Sequence, residues 1–309
     1  MEKKNKKIIA KEVIKNRLCQ MIVNEDSKNG KFKIPIHLAF GHESIAVAIN
    51  HIMDKDDKLI LTHRNIAYNL ARLGKLRPIL DEYLLKKKGI MKGKTGSMNL
   101  INHENGIIYS SSILGNNFSV SVGVSMAQKI HSKNNITIIL SGDGSIEEGS
   151  FYESLIMLKT YHLPTILIVE NNEWSMATKI SERRCQIELE NFTKSIGIKY
   201  ERIEGNNPYE LISKFNEIKK YSLKNNEPVC IEIMLTTLGD WKKITPEFPE
   251  GKFINYHAGS APTIDIKTCP ILIKKSKIDP IFVIKNLIEK KEFEELTNEV
   301  RKEIEEEIK

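Results

Sequence analysis

Continuous apolar runs alternate with segments of helical periodicity along most of this chain. Residues 136–141 are apolar and β-branched without interruption, which is typical of a strand buried on both faces of a parallel sheet. Residues 151–161 place apolar side chains close to helical spacing, and after Pro164 a second continuous apolar run occupies 165–169. This order predicts a βαβ unit. The same alternation from 59 to 234 predicts an α/β protein.

Both ends of the chain also show helical patterns. Apolar residues between Ile8 and Ile22 recur at helical spacing and predict an amphipathic helix that another surface must cover. Residues 41–53 predict a further helix, and the segment of about 280–309 predicts a solvated helical tail. Because no linker, low-complexity tract or internal repeat divides the sequence, we expect a single domain over residues 1–309.

Composition narrows the class of protein. The net charge is +7, but 47 basic residues are scattered among 40 acidic ones, so we predict a solvated surface and no nucleic-acid partner. The four cysteines are far apart and show no metal-binding spacing, as in reduced cytosolic proteins. No apolar run reaches membrane-spanning length and the amino terminus has no signal-peptide core, so we expect a cytoplasmic protein with no membrane partner.

Two short polar motifs follow the strands of the βαβ unit. Gly-Asp-Gly occupies 142–144 and Asn-Asn occupies 171–172. Because the crossover returns the chain in the same direction, Asp143 and Asn172 should meet at the carboxyl edge of the sheet, where α/β proteins bind ligands. Mg²⁺ prefers oxygen ligands shared among carboxylate, amide, carbonyl, water and phosphate groups. The motifs therefore predict a magnesium diphosphate site formed by these two side chains and the carbonyl of Trp174.

The glycines of the first motif fit the same interpretation. Gly142 and Gly144 let the backbone approach phosphate groups, with their amides facing the anion. Either motif alone is more often a simple strand-to-loop turn, but their occurrence on one βαβ unit favours the functional interpretation. A nicotinamide-binding Rossmann protein is disfavoured, because the Gly-x-Gly-x-x-Gly spacing is absent and Asp143 would repel a dinucleotide diphosphate unless a metal ion intervened.

The spacing of the two motifs resembles the thiamine diphosphate signature. The stretches HLAFGHESIAVAINHIMDKDDKLILTHR, KTGSMNL, SSILGNNFSVSVGVSMAQK and GDGSIEEGSFYESLIMLKTYHLPTILIVENN are similar, in order and spacing, to the α subunit of the thiamine diphosphate-dependent decarboxylating component of 2-oxo acid dehydrogenases of the pyruvate and acetoin types. The likeness covers residues 8–235. It implies a three-layer thiamine diphosphate-binding fold with a central, mostly parallel sheet flanked by helices.

The resemblance also implies roles for individual residues. His37 matches a histidine that faces the substrate near the thiazolium ring, where it can donate to a developing oxyanion. His63 and Arg64 match a cofactor-binding pair, and the planar fork of arginine suits a diphosphate. Further cofactor contacts implied by the family are Ser112, Leu114 and Ser145.

The sequence departs from the family pattern in the substrate half of the site. Residues 65–68 lack the additional histidines that often follow Arg64, and Asn99 stands where many relatives have histidine. The 236–266 segment is longer than the family's loop, and its Tyr-His-Ala-Gly-Ser-Ala-Pro is similar to the Trp-His-Gly-Lys-Ala-Pro of transketolases. His257 is therefore the candidate second catalytic histidine, with an exposed loop histidine as the alternative.

Cofactor and partners follow from the resemblance. It implies thiamine diphosphate with Mg²⁺, a β subunit that supplies the activating glutamate in an α2β2 heterotetramer, a lipoyl acyltransferase as a further partner, and a 2-oxo acid substrate. The chain alone is then predicted to be inactive. Small side chains along residues 118–130 suit packing against another subunit or equally against an internal helix.

Two other functions stay open at this point. The chain could be the amino-terminal subunit of a split transketolase-like transferase or carboligase acting on a ketose sugar or keto acid, which the altered 236–266 segment favours. It could also be a cofactor-binding, non-catalytic partner that completes a complex.

Overall fold

The central sheet consists of parallel strands that run side by side through the molecule. A computed structural model describes residues 3–131 and 134–309 of the chain. The strands of the sheet are β1 Lys58–Thr62, β2 Ile107–Ser111, β3 Thr137–Gly142, β4 Thr165–Asn171, β7 Lys199–Glu204 and β8 Pro228–Met234. Their order is β2-β1-β3-β4-β8-β7, and every pairing is parallel.

Helices cover both faces of this sheet. They are α1 Lys3–Lys28, α2 Glu43–Ile52, α3 Ile66–Leu73, α4 Arg77–Tyr83, α5 Asn116–His131, α6 Gly149–Thr160, α7 Ile180–Arg183, α8 Leu189–Ser195, α9 Pro208–Asn225, α10 Pro280–Leu287 and α11 Lys290–Ile308. Successive residues of β3 serve opposite faces: Ile138 and Leu140 join the core beneath α1, α2 and α9, whereas Ile139 joins the core beneath α5 and α6. The predicted layered α/β fold is confirmed.

The register of β3 and β4 positions the two polar motifs. Gly142 lies opposite Glu170, so Asp143 and Asn172 follow neighbouring strand ends, as the sequence predicts. Both strands run slightly further toward the carboxyl edge than the apolar runs alone indicate, ending at Gly142 and Asn171. Each motif thus begins at the last residue of its strand.

The amino-terminal helix is covered by the carboxyl-terminal one. Val13, Ile14 and Leu18 of α1 are buried, and α11 packs on this helix. We expected this segment to be a solvated tail, but it is a packed helix. Its apolar residues recur at helical spacing and form a face that is buried. The side chains of that face are Phe293, Leu296, Val300 and Ile304.

A buried ion cluster joins α1 to α2 and α10. The guanidinium of Arg17 lies 2.5 Å from Glu43 and 3.1 Å from Asp279, and all three side chains are excluded from solvent. Glu43 also accepts from the backbone amide of Gly41. Burial alone would lower the pKa of Arg17, but the two carboxylates outweigh it and raise the pKa. The cluster therefore fixes the segment just before α2, which leads into the site described below.

The segment after β8 forms a hairpin that was not predicted. Strands β9 Asp240–Thr245 and β10 Phe248–Asn255 pair antiparallel, and a smaller hairpin joins β5 Trp174–Ser175 to β6 Thr178–Lys179. Because β10 ends just before His257, the hairpin returns this histidine to the sheet edge. Within the described ranges, no helix combines the length and apolar character needed to cross a lipid bilayer.

Candidate active site

A cavity of about 360 Å³ opens at the carboxyl edge of β1, β3 and β4. Every residue predicted for catalysis, cofactor binding or metal binding contributes to its wall. These residues are His37, His63, Arg64, Ser112, Leu114, Gly142, Asp143, Gly144, Ser145, Asn172, Trp174 and His257. Two larger cavities, of about 910 and 620 Å³, lie along the same edge, but neither brings together the histidines, arginine and aspartate of this one.

Asp143 places a buried negative charge in the cavity. Its side chain is only 2% exposed, and its Oδ2 lies 2.5 Å from Nη2 of Arg183. Burial raises the pKa of Asp143, while Arg183 and the backbone amides of Asp143 and Asn172 lower it without cancelling the rise. A carboxylate in this position requires a nearby cation, which Arg183 supplies here.

The two asparagines of the second motif face in different directions. Asn172 donates through Nδ2 to Thr237 at 2.9 Å and accepts at Oδ1 from the amide of Trp174 at 2.9 Å. Asn171 instead donates to Glu232 at 2.6 Å, outside the cavity. Of the two asparagines, only Asn172 therefore lines the cavity that holds Asp143. The part of Trp174 as a carbonyl ligand stays a prediction.

The glycines of the Gly-Asp-Gly turn differ in what surrounds them. A Cβ added to Gly142 would meet no protein atom within 4 Å, which leaves open space at the cavity wall. A Cβ on Gly144 would lie 2.6 Å from Oγ of Ser175. The space beside Gly142 thus suits the close approach of a phosphate. At position 144, contact with Ser175 is an additional, structural reason for a glycine.

Three histidines from distant parts of the chain meet across the cavity. The ring centroid of His37 lies 4.8 Å from that of His63 and 5.4 Å from that of His257. Nδ1 of His37 and Nε2 of His63 are buried without a hydrogen-bond partner among the described residues. Buried polar atoms are normally satisfied, so unpaired nitrogens in a cavity indicate a place for a ligand.

Arg64 adds a positive charge beside the histidines. It is 8% exposed and donates to the carbonyl oxygens of Leu38 and His257 at 2.6 and 3.1 Å. Burial lowers its pKa, with Tyr256 and Glu170 opposing this effect. No carboxylate forms an ion pair with it within the described part of the chain. An arginine whose charge is not paired inside a cavity attracts an anion.

The same surroundings keep the histidines neutral. Burial first, and the charge of Arg64 second, lower the pKa of His37 to about 3, that of His63 to about 2 and that of His257 to about 4. At neutral pH these imidazoles therefore act as hydrogen-bond donors and acceptors, not as cations.

We expect this neutrality to make the ligand-free protein less stable in mild acid. As pH falls below the ordinary histidine value of 6.5, the unfolded chain takes up protons while the folded chain does not, until about pH 4 for His257 and lower for the others. Thermal unfolding measured from pH 7.5 to 5 should show a falling midpoint, and His37→Asn should reduce the slope. Equal slopes for both proteins would contradict the assignment.

Several cavity residues were missed by sequence reasoning. Asn99, where the family often has histidine, is exposed and lies outside the cavity. His42 and Glu170 lie inside it, yet they sit at a helix start and within a buried strand, where the sequence pattern indicates only packing. Glu170 directly precedes the Asn-Asn motif, which was the available signal for it, whereas His42 is far from both motifs in the sequence. Other lining residues that were not predicted are Thr62, Met98, Ser111, Ile113, Asn117, Ser175 and Met176.

Comparison with known proteins agrees with this geometry. A family model described as "Dehydrogenase E1 component" matches residues 10–238. The pyruvate dehydrogenase E1 component subunit alpha of Rickettsia typhi is 30% identical over 197 residues, which cover 64% of this chain and 60% of that protein. The mitochondrial subunit alpha of Chaetomium thermophilum is 27% identical over 237 residues, 77% of this chain and 57% of that protein. The chain thus spans about 60% of the length of the curated relatives it matches.

Solved structures share the fold over nearly the whole chain. A transketolase from Pichia stipitis superposes with a TM-score of 0.62 at 15% identity, covering 97% of this chain and 45% of that one. A transketolase from Campylobacter jejuni gives a TM-score of 0.58 at 16% identity, with coverage of 96% and 49%. These likenesses establish the architecture, and the family model establishes the lineage: the chain belongs to the dehydrogenase E1 component family.

Proposed function

We propose that this chain is the α subunit of a thiamine diphosphate-dependent 2-oxo acid dehydrogenase (decarboxylating) component, where it binds the Mg²⁺-diphosphate end of the cofactor. One observation carries the proposal: a single cavity holds a buried carboxylate and a partly buried amide beside neutral histidines and an arginine that has no ion-pair partner among the described residues. Family membership implies thiamine diphosphate as the cofactor. The relatives named above are pyruvate dehydrogenase subunits, which favours 2-oxo acids as substrates.

The polar groups of the cavity fit the diphosphate and its cation. Asp143 and Asn172 present oxygens of the kind that Mg²⁺ selects, with the carbonyl of Trp174 as the third proposed ligand. Arg64 and His63 line the same cavity and offer charge and a hydrogen bond to phosphate oxygens, while the space beside Gly142 admits these oxygens. Ser112, Leu114 and Ser145 complete the proposed contacts.

The histidines suit the substrate end of the same cavity. Thiamine diphosphate, when bound, supplies a nucleophilic carbon for the carbonyl of a 2-oxo acid. His37 and His257 are neutral, so each can donate one N–H to a carbonyl oxygen that is gaining negative charge. The unpaired Nδ1 of His37 leaves that ring free to bond a ligand. The ring of Trp241, 5.7 Å from His257, helps to hold the second histidine in place.

The cavity lacks a free carboxylate for cofactor activation in the described residues. Its lining carboxylates are Asp143, which is assigned to the cation, and Glu170, which accepts from both Tyr68 and His42. The activating glutamate is therefore proposed to come from a β subunit, in a heterotetramer of two α and two β subunits.

Two exposed surfaces support such an assembly. Hydrophobic side chains stand at the rim of the cavity, with Ile113 67% and Met176 64% exposed. The helix α5 exposes small residues on one face, at Ser119, Gly123 and Ala127. A lipoyl acyltransferase is proposed as the further partner that accepts the product.

A transketolase-like transferase is the second candidate. The observation that favours it is the placement of His257 against His37 by a segment whose sequence is similar to that of transketolases. Such a subunit would move a ketol or acyl unit between a ketose or keto acid and an acceptor. It would use the same cofactor half-site, so the two candidates differ only in substrate and acceptor.

Calorimetric titration of thiamine diphosphate with Mg²⁺ tests the proposal. The chain is measured alone and together with the co-expressed product of its neighbouring gene, and the complex is then assayed with 2-oxo acids plus an artificial electron acceptor and with a ketose plus an aldose. We expect metal-dependent binding that the partner tightens, and turnover of a 2-oxo acid only in the complex. Turnover of the ketose pair alone would favour the transferase, and absence of binding in both preparations would refute the enzyme.

A further inference from the structure

A buried chain of hydrogen bonds ends at the proposed cation ligand. Tyr68 donates its hydroxyl to Oε1 of Glu170, and the same oxygen lies 2.8 Å from Nδ1 of His42. Nε2 of His42 lies 3.0 Å from Oγ1 of Thr237, which accepts from Nδ2 of Asn172 at 2.9 Å. Tyr68, His42 and Thr237 are at most 2% exposed. The chain therefore runs through the interior and reaches the wall of the cavity at its last residue, Asn172.

The donors in this chain can be assigned at each link. A carboxylate only accepts, so Nδ1 of His42 carries the hydrogen that faces Glu170. In the neutral imidazole, Nε2 is then an acceptor and Thr237 donates to it; in the imidazolium, Nε2 donates to Thr237 instead. In both cases the hydroxyl oxygen of Thr237 has a lone pair left for Nδ2 of Asn172. When Nε2 is the acceptor, the hydroxyl hydrogen of Thr237 is engaged by His42, so the hydroxyl can only accept from Asn172 and the orientation of the carboxamide is fixed.

Close backbone packing brings His42 and Thr237 together. The amide of Leu238 donates to the carbonyl oxygen of Phe40 at 2.8 Å. Gly41 has φ +98, and a Cβ there would lie 2.1 Å from the carbonyl oxygen of Thr236. Any other residue at Gly41 would force the two segments apart. The backbone packing at Gly41 therefore holds the imidazole of His42 against the hydroxyl of Thr237.

We propose that Thr237, held by His42, is a positioning residue that keeps the carboxamide oxygen of Asn172 turned toward the cation of the cofactor. This inference rests on the proposed function. An amide NH₂ group carries hydrogens with partial positive charge and cannot ligate Mg²⁺, so a flipped Asn172 would lose its contribution. Thr237 removes the flipped state, because its hydroxyl binds Nδ2, and the amide of Trp174 favours the same orientation at Oδ1.

Replacement of Thr237 by valine and by serine separates this role from packing. Thr237→Val keeps the shape and loses the hydroxyl, whereas Thr237→Ser keeps the hydroxyl. The Mg²⁺ dissociation constant is measured calorimetrically at saturating thiamine diphosphate, in the complex with the partner if the chain alone does not bind. We expect the valine variant to weaken Mg²⁺ binding by about 10-fold or more and the serine variant to stay within about 2-fold of the wild type, as for groups that orient a metal ligand.

Thr193→Val is the matched control. Thr193 is also fully buried, and its hydroxyl donates to the carbonyl of Leu189 at 2.8 Å, away from the cavity. Its Mg²⁺ affinity should equal that of the wild type, and the unfolding temperatures of the two ligand-free valine variants should be similar. An equal loss of Mg²⁺ affinity in both, or a loss in Thr237→Ser as large as in Thr237→Val, would overturn the inference.

A double-mutant cycle tests the link through His42. His42→Leu should weaken Mg²⁺ binding in the wild-type background but add little to Thr237→Val, because both act through one hydrogen bond. Additive losses would contradict the link. Normal Mg²⁺ affinity in Thr237→Val, with the wild type binding the cofactor, would refute the positioning role alone. Failure of the wild type to bind thiamine diphosphate would refute the proposed function itself.

Discussion

Replacing Asp143 with asparagine is expected to abolish Mg²⁺-dependent binding of thiamine diphosphate. The substitution keeps the size of the side chain but removes one of the two buried carboxylates of the cavity, and the other, Glu170, is already bonded to Tyr68 and His42. Residues that merely orient a metal ligand change affinity by about 10- to 100-fold, so loss of a charged ligand should weaken binding by about 100-fold or more. Titration calorimetry with Mg²⁺ and thiamine diphosphate measures the change.

The ligand-free variant should not lose stability in the same experiment. Burial raises the pKa of Asp143, which means that its charged form is costly in the folded chain and that a neutral amide is tolerated. Glu232→Gln is the matched control, because Glu232 lies on β8 near the same sheet edge, two strands away from β3, and binds Asn171 and Tyr200 instead. Cofactor binding that survives Asp143→Asn, or that is lost equally in the control, would contradict the assignment.

Replacing Arg17 with methionine is expected to destabilise the protein by about 3–5 kcal/mol, as is usual when one partner of a buried ion cluster is removed. Glu43 and Asp279 would remain buried without their cation. Asp279 keeps backbone donors such as the amides of Leu272 and Ile281, but Glu43 would keep mainly the amide of Gly41. Chemical denaturation measured by circular dichroism gives the free energy of unfolding.

Lys11→Met on the same helix is the control for this substitution. Lys11 pairs with Glu299 and Glu303 at a solvent-accessible position, where such pairs contribute at most about 1 kcal/mol. A loss of stability for Arg17→Met no greater than that of Lys11→Met would show that the buried cluster is not needed for the fold. Because the cluster fixes Gly41, the methionine variant should also weaken cofactor binding.

The sequence was sufficient to predict the sheet and the position of Asp143 and Asn172 at neighbouring strand ends. The long apolar runs predict the strands, and a polar motif follows each of two of them. Because these two strands are parallel, Asp143 and Asn172 come to the same edge of the sheet. The histidines needed the family resemblance as well. His37, His63 and His257 come from three separate segments, and no periodicity relates them.

Other features depend on tertiary packing that no local pattern contains. The hairpin β9–β10 carries mixed polar residues without strict alternation, so the sequence gives a weak strand signal there. His42 and Thr237 meet only because two segments nearly 200 residues apart pack backbone to backbone at Gly41. The expectation that the last helix is solvated was wrong in part. Charged residues dominate the composition of this helix, but its apolar face is buried.

The contact between Arg183 and Asp143 has a consequence for the proposed cation site. The guanidinium belongs to the four-residue helix α7, which is also tied to Glu147 through Arg183 and Arg184. Under the proposed assignment of Asp143 to Mg²⁺, loading the ion is an ion exchange, in which a divalent cation competes with a tethered monovalent one for the same carboxylate. The net affinity in this proposal is the difference between these two attractions, so the side chains that hold Arg183 in place also set how much free magnesium is needed.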